Sequence, residues 1–472
     1  MADVPLNARG TSAAEAMVQS AAAAEAGTRV GAWPSQARAW YTLNVLTFAM
    51  MFSFLDRQIM TLMIGPIKGD WHLSDTQVSV LIGLAFVCIY AFSSLPIARL
   101  ADSASRKIII GVGIAFWSLM TAFCGLAQNY WQLFIARMGV GAGESTISPA
   151  TYSILTDSFP RDKLAMATGY LGLGVSFGTG FALIAGGQVI GLVRHMHDTI
   201  IPGLGVLHPW QWAFVIVGLP GLLVALLVHL TVKEPARRGR IRTQGPGARA
   251  KDSMPIGQAL KYIVDDWPCF GPIFIGMAVR SLGLGAAAWL PEFFVRTYHW
   301  SMPDIGLAQG LILLVASPAG VWLGGRLSER WTRQNMWDCN MRLAIITSLI
   351  ALPTGILYPL SPSPWLALGL MTFNSFLVSV GAGPGAAALQ LIVPNQMRGQ
   401  INSLNLLIFN FAFAFAPTFV ALLTDFVFHK ESDLRYSIML VALLINPLSI
   451  FITWLGLKAY GRSAKRAHEQ FV

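Results

Sequence analysis

Charge is scarce in this chain. Only 12% of its 472 residues are charged, while 54% are hydrophobic. Soluble proteins carry about 25% charge. So few charges cannot coat a water-facing surface, which excludes a soluble globular enzyme. Cysteine is scarce too. Cys88, Cys124, Cys269 and Cys339 all lie in or beside apolar runs, and none makes a CxxC pair. That excludes a disulfide framework or a zinc site as the organising feature. HExxH, a P-loop, a catalytic-serine elbow and a dinucleotide fingerprint are also missing from any fitting context. No enzyme activity, cofactor or metal is expected. His195 and His197 read as members of a solvated loop.

Long apolar runs are abundant instead. About 18 or more apolar residues with little charge read as a membrane helix. Such runs lie near 38–64, 76–98, 107–127, 131–156, 164–190, 210–231, 267–295, 303–327, 341–360, 365–390, 400–428 and 434–458. A membrane barrel would show short alternating strands, so helices are expected. The expected fold class is an all-α polytopic membrane protein, with twelve transmembrane helices in two pseudo-symmetric six-helix bundles. Glycines such as Gly139, Gly141, Gly143, Gly381, Gly383 and Gly385 permit close helix contact.

The expected division follows from the polar stretches. Residues 1–35 form a cytoplasmic N-terminal tail without a signal-peptide pattern, and 36–231 form the first bundle. Residues 232–262 form a basic cytoplasmic linker, 263–458 the second bundle and 459–472 a cytoplasmic tail. Most of the 33 Lys and Arg fall on one side, which puts both termini in the cytoplasm. The expected location is the bacterial inner (plasma) membrane. The basic linker suits contact with anionic membrane lipids, not nucleic acid. A monomer suffices to bury a polar cavity.

The two halves echo each other. Leu100, Asp102, Arg106 and Lys107 follow the second span, and Leu327, Glu329 and Arg330 follow the eighth. Such a repeat predicts a carrier with its site between the halves. The first of these loops resembles the major facilitator superfamily signature G-x-L-x-D-R-x-G-R-K, with Ala98, Ser103 and Ser105 departing from it. Leu133, Arg137, Gly141 and Gly143 resemble the superfamily's second motif. Gly174 and Gly178 resemble its antiporter motif, whose Pro is absent. Within the superfamily the chain resembles the spinster subfamily. The carriers are Phe54, Asp56, Arg57, Trp131, Arg137, Glu144, Ser148, Pro149, Asp157 and Pro160, concentrated over residues 50–190. The resemblance implies proton-coupled movement of sphingolipids or lysophospholipids by alternating access, with Asp102, Arg106, Lys107, Glu329 and Arg330 gating or bracing the halves.

Charges inside spans mark functional sites by default, because each costs at least about 2.5–3.5 kcal/mol there. Arg137 and Glu144 share one helix face, about two turns apart. Asp56 and Arg57 are adjacent and diverge by about 100°. Asp56, with Ala49, Ser53 and Met60, is expected to face the cavity, and Arg57 a helix contact. Arg280 falls at nearly the repeat equivalent of Asp56, so it is expected across the cavity from it. Asp56 and Glu144 are the proton-coupling candidates. Arg137, Arg280, Asn374 and Asn410 are the substrate-binding candidates, with Asn402 and Asn405 also facing inward. Arg137 braced against the first helix, with Glu144 as static partner, is the alternative. The aromatics Phe409, Phe411, Phe413, Phe415 and Phe419 are expected mostly to meet lipid or pack. The expected function is secondary transport of a lipid-like anion or zwitterion with protons. A small organic acid carrier and a non-transporting receptor are the alternatives.

Overall fold

The computed structural model describes residues 33–203, 205–237 and 256–471. The expected tail 1–32 and linker residues 238–255 lie outside the described residues. The first half comprises α1 (Gln36–Leu62), α2 (Ile64–Trp71), α3 (Asp75–Ile82), α4 (Leu84–Ser103), α5 (Arg106–Cys124), α6 (Tyr130–Glu144), α7 (Ile147–Ser158), α8 (Arg161–Val193), α9 (Pro209–Gly218) and α10 (Pro220–Thr231). The second comprises α11 (Ile256–Asp265), α12 (Trp267–Gly283), α13 (Ala286–Tyr298), α14 (Met302–Arg333), α15 (Cys339–Leu360), α16 (Pro364–Ile392), α17 (Asn395–Leu423) and α18 (Leu434–Phe471).

Among the described residues, 11 helical stretches are long and apolar enough to cross a membrane. The fourth expected span is made of α6 and α7, each too short alone. They part at Ser145 and Thr146, whose hydroxyls donate to Ala142 O at 2.6 Å and Gly143 O at 2.8 Å. Such hydroxyls compete with the helical ladder. Other spans are also jointed, at Gly83 between α3 and α4, and at Leu284 and Gly285 between α12 and α13. Both glycines press on α17. A Cβ at Gly83 would lie 2.2 Å from Ala414 O, and one at Gly285 would lie 2.1 Å from Ala416 O.

Two seams join the halves. In one, α8 packs on α14. In the other, α17 packs on α3 and α4. Along the first seam, Gly180, Gly187 and Gly191 meet Leu314, Met302 and Pro303. These contacts lie toward the face opposite the chain ends, here the far face; the other is the terminal face. One apolar cluster crosses from Leu43 and Trp117 of the first half to Trp289 and Phe293 of the second. A separate cluster around Phe270, Leu389 and Tyr460 belongs to the second half alone, on its terminal side. The halves are therefore packed together at the far face.

Three expected boundaries shift. Residues 232–237 are bonded to the first half, where Arg106 Nε donates to Glu234 at 2.7 Å and Arg237 donates to Ala101 O at 2.9 Å. The helix α11 starts inside the expected linker, and its Ala259 and Ile263 are buried in the second half. Residues 459–471 continue α18 rather than leaving it, with Tyr460 buried and Ser463 donating to Asp266 at 2.6 Å. The loop holding His195 and His197 leads into a two-stranded hairpin, β1 (Thr199–Ile201) and β2 (Gly205–Leu207). Gly203 and Gly205, at φ of 84° and 96°, make its turn.

Candidate functional site

A cavity of about 400 Å³ lies between the halves. On α1, Phe54, Arg57, Gln58 and Thr61 line it. Their spacing of three, four and seven marks one helix face. Asp56 is on the other face. The expected roles of this pair are thus reversed: Arg57 faces the cavity, and Asp56 is completely buried inside the first half. The stripe shared by Ala49, Ser53, Asp56 and Met60 is the packed one.

Arg57 is held from several sides. Its Nε donates to Glu144 Oε2 at 2.5 Å. Its guanidinium lies 4.9 Å from the Phe86 ring centroid and 5.0 Å from that of Tyr90. Cation–π contact of this kind favours a fixed guanidinium plane. Glu144, buried at the end of α6, therefore pairs with Arg57 and not with Arg137. Its Oε1 has no hydrogen-bond partner. Arg137 lines the same cavity and lies 5.1 Å from the Phe86 centroid. It donates, at 3.5 Å each, to the main-chain carbonyls of Leu81 and Asp56, so it does brace α6 against α1 and α3. Neither Asp56 carboxyl oxygen has a hydrogen-bond partner. Trp117, Thr121 and Arg137 are its polar neighbours. Burying a carboxylate there is costly, and these neighbours offset that cost only in part. Two guanidiniums and two carboxyls thus form one layer: Arg57 at the surface, Glu144 and Arg137 behind it, Asp56 deepest.

The facing wall is different. Leu284, Ala288, Leu290, Ile312, Leu313 and Met371 are apolar, and only Gln309, Ser375 and Asn410 add polarity. Asn410 stands where expected. Asn374 does not, because its Nδ2 donates to Ala351 O at 2.9 Å and Thr354 Oγ1 at 3.0 Å, tying α16 to α15. Ser375 takes the cavity position. Asn402 and Asn405 are not among the lining residues, and Asn405 is buried. Arg280 is not across from Asp56. It lines a second cavity inside the second half. Two of the five α17 aromatics also depart from expectation: Phe413 faces the central cavity and Phe409 the second one.

Among the described residues, the signature loop braces the first half. Arg106 is buried against Asp157 and bonded to Glu234 and the Pro235 carbonyl. The Lys107 N–H also reaches Glu234, at 2.9 Å. Burial pushes the Glu234 carboxyl up, but the Lys107 N–H, Arg106 and Ser105 outweigh this and hold it below the usual range. Glu329 pairs with Arg333 on its own helix at 2.6 Å, and Arg330 is exposed. Asp102 is in the last turn of α4; its side chain lies outside the described residues. Among the described residues, several bonds cross between the halves at the far face, and the sequence analysis missed them. Arg296 grips Asp75 through two bonds of 2.7 and 3.0 Å. Lys68 joins Asp75 at 2.6 Å and Glu431 at 2.9 Å. Asp425 accepts from the Thr76 N–H at 2.7 Å and its hydroxyl at 2.6 Å.

Jointed helices around a midplane cavity between two repeats define a secondary-transporter architecture. Comparison with known proteins specifies it. The Major Facilitator Superfamily model matches residues 46–417, and the chain belongs to that superfamily. It is an integral membrane transporter, not an enzyme, and it is similar to spinster homologues. A crystal structure of a bacterial homologue of the human lysosomal transporter spinster, inward-facing and unoccupied, is 25% identical with a TM-score of 0.74. That match covers 92% of this chain and 98% of the other. An MFS-type efflux pump of Mycolicibacterium smegmatis is 24% identical over 90% of this chain and 94% of its own length. A sphingosine-1-phosphate transporter of Danio rerio is 25% identical over 62% of this chain, which spans 56% of that protein.

Proposed function

We propose that the chain is a proton-coupled carrier of an amphipathic anion or zwitterion with a single head group, such as a sphingoid phosphate or lysophospholipid. The observation that carries this reading is the uneven cavity. One wall offers Arg57, Arg137, Gln58, Thr61 and Tyr90 to a head group, and the other is mostly apolar, with no charged residue and only Gln309, Ser375 and Asn410 polar. A small organic acid needs no such apolar wall. The sphingosine-1-phosphate transporter among the relatives supports the same substrate class.

The guanidinium nearest the cavity is the one a carboxylate neutralises. A proton on Glu144 removes the charge that holds Arg57. The freed Arg57 then takes a phosphate or carboxylate with its fork. Asp56, one layer deeper, is the second proton site and keeps Arg137 and Glu144 in its field. Both termini lie in the cytoplasm, so the far face is outside and the state described is closed outward. The inward-facing spinster homologue has a similar architecture.

The test is flux into proteoliposomes of labelled lysophospholipid and of sphingoid phosphate, with and without an imposed pH gradient. Wild type is expected to show gradient-driven lipid flux. Asp56→Asn is expected to lose the gradient dependence while remaining in the membrane. Normal coupling in that variant overturns Asp56 as a proton site. Uptake of hexuronate without lipid flux overturns the substrate class.

A further inference from the structure

The second half contains a cavity of its own, of about 370 Å³, which is the size of a small-molecule site. It lies between α12, α15, α16 and α18, with Phe409 of α17 at its edge. Leu284 borders both cavities. The Phe409 and Phe413 rings stack with centroids 6.1 Å apart and partition them. The walls are Ile273, Met277, Ile345, Val378 and Ile450. Space is left by small residues of α16. A Cβ at Gly385 would meet nothing within 4 Å.

One charge lines this space, Arg280. Its Nη2 donates to Val378 O at 3.2 Å, and no carboxylate pairs with it among the described residues. Arg57, Arg296 and Arg106 each pair with an acid, Glu144, Asp75 and Asp157, and Arg137, bonded to carbonyls, still lies in the field of Glu144 and Asp56. A guanidinium has five N–H donors, so most of those on Arg280 remain unspent. An uncompensated cation in an apolar interior is costly, and a bound anion would offset that cost. Ser348, Ser449 and Thr453 bring hydroxyls to the wall, and the last two are spent on carbonyls. Ser449 donates to Gly276 O at 3.0 Å, and Thr453 donates to Ser449 O at 2.8 Å. Having spent their protons, both present only acceptors to the cavity.

We propose that this cavity is a second binding site, for a single-chain anionic amphiphile whose carboxylate or phosphate sits on Arg280 and whose alkyl chain fills the apolar space. The site belongs to one half, so it stays whole while the halves rock. Nothing in it depends on what the central cavity carries.

The experiment is equilibrium binding of radiolabelled dodecanoate, dodecyl phosphate and uncharged dodecanol to the purified full chain in nanodiscs. Wild type, Arg280→Gln, Gly385→Leu and Arg57→Gln are compared, with melting temperatures as the fold check. The two anions show whether carboxylate or phosphate is preferred. Arg280→Gln is expected to weaken saturable anion binding about tenfold, the loss of one charge-assisted bond, and to leave dodecanol unchanged. Gly385→Leu, whose Cβ has nothing within 4 Å and which puts bulk toward the cavity, is expected to remove both. Arg57→Gln is expected to leave this saturable component intact. Anion binding unchanged in Arg280→Gln, or retained in Gly385→Leu, overturns the proposal. So does a loss confined to Arg57→Gln, which would put the anion in the central cavity.

Discussion

Asp75→Asn removes the carboxylate on which the far face closes. Asp75 is fully buried and accepts two bonds from Arg296 and one from Lys68. Arg296 comes from the second half, so its bonds exist only while the halves meet there. Removing one partner of a buried ion pair costs about 3–5 kcal/mol. The amide still accepts one hydrogen bond from Arg296, which favours the lower end. In the opposite conformation these groups reach water and the substitution costs little. The closed-to-open ratio at the far face should therefore fall by about 150-fold, equivalent to about 3 kcal/mol. Electron–electron distance measurements between nitroxides at His195 and Trp365 would read this directly. Both positions are exposed and lie on different halves. The wild-type distribution should be short, and Asp75→Asn should add or switch to a longer population. Arg296→Gln should do the same. The double variant should be less disturbed than the two single effects summed, because the interaction the two residues share is lost only once. An unchanged distribution in a folded Asp75→Asn protein, or strict additivity, would refute the latch.

Two further outcomes follow from the positions of Glu234 and Asn374. Glu234 has a depressed folded pKa, so its stabilisation is complete above its unfolded value of about 4.3 and fades as pH falls through the folded one. Glu234 is partly exposed, so Glu234→Gln should cost only about 1 kcal/mol at pH 7. The melting-temperature gap to wild type should close in acid, and a gap that widens there contradicts the assignment. Asn374→Ala should lower the melting temperature, because Ala351 O and Thr354 Oγ1 lose a donor. Substrate affinity should stay near wild type; a large affinity loss without destabilisation would return Asn374 to the cavity.

The architecture was legible because lipid imposes it. A run of apolar residues has one stable form in a membrane, so the span positions followed from hydropathy alone. The break at Ser145 and Thr146 was less visible, since both residues sit in an otherwise continuous run. At the site, the adjacency of Asp56 and Arg57 correctly placed them on different faces. Which face met the cavity was decidable from Phe54, Arg57, Gln58 and Thr61, a polar and aromatic stripe at helical spacing. The chosen stripe, Ala49, Ser53, Asp56 and Met60, had small residues, which suit close packing as well as a cavity. The latch was not legible at all. Asp75 and Arg296 lie just outside the apolar runs 76–98 and 267–295, and only the fold brings them within 2.7 Å.

The repeat misled at Arg280 for a physical reason. Internal symmetry constrains backbone placement, not the direction of a side chain. Asp56 and Arg280 occupy related positions on helices that open their halves, yet each points away from the central cavity and into its own half. The consequences differ because the surroundings differ. Around Asp56, Arg137, Glu144 and Arg57 form a cluster with charges of both signs. Around Arg280 no acid answers, and the space beside it is open. The two repeat-related buried charges thus have different surroundings: Asp56 sits among charges of both signs, and Arg280 sits beside an open apolar space. An anion that offsets Arg280 must come from elsewhere, whereas Asp56 has cations of its own half within its field.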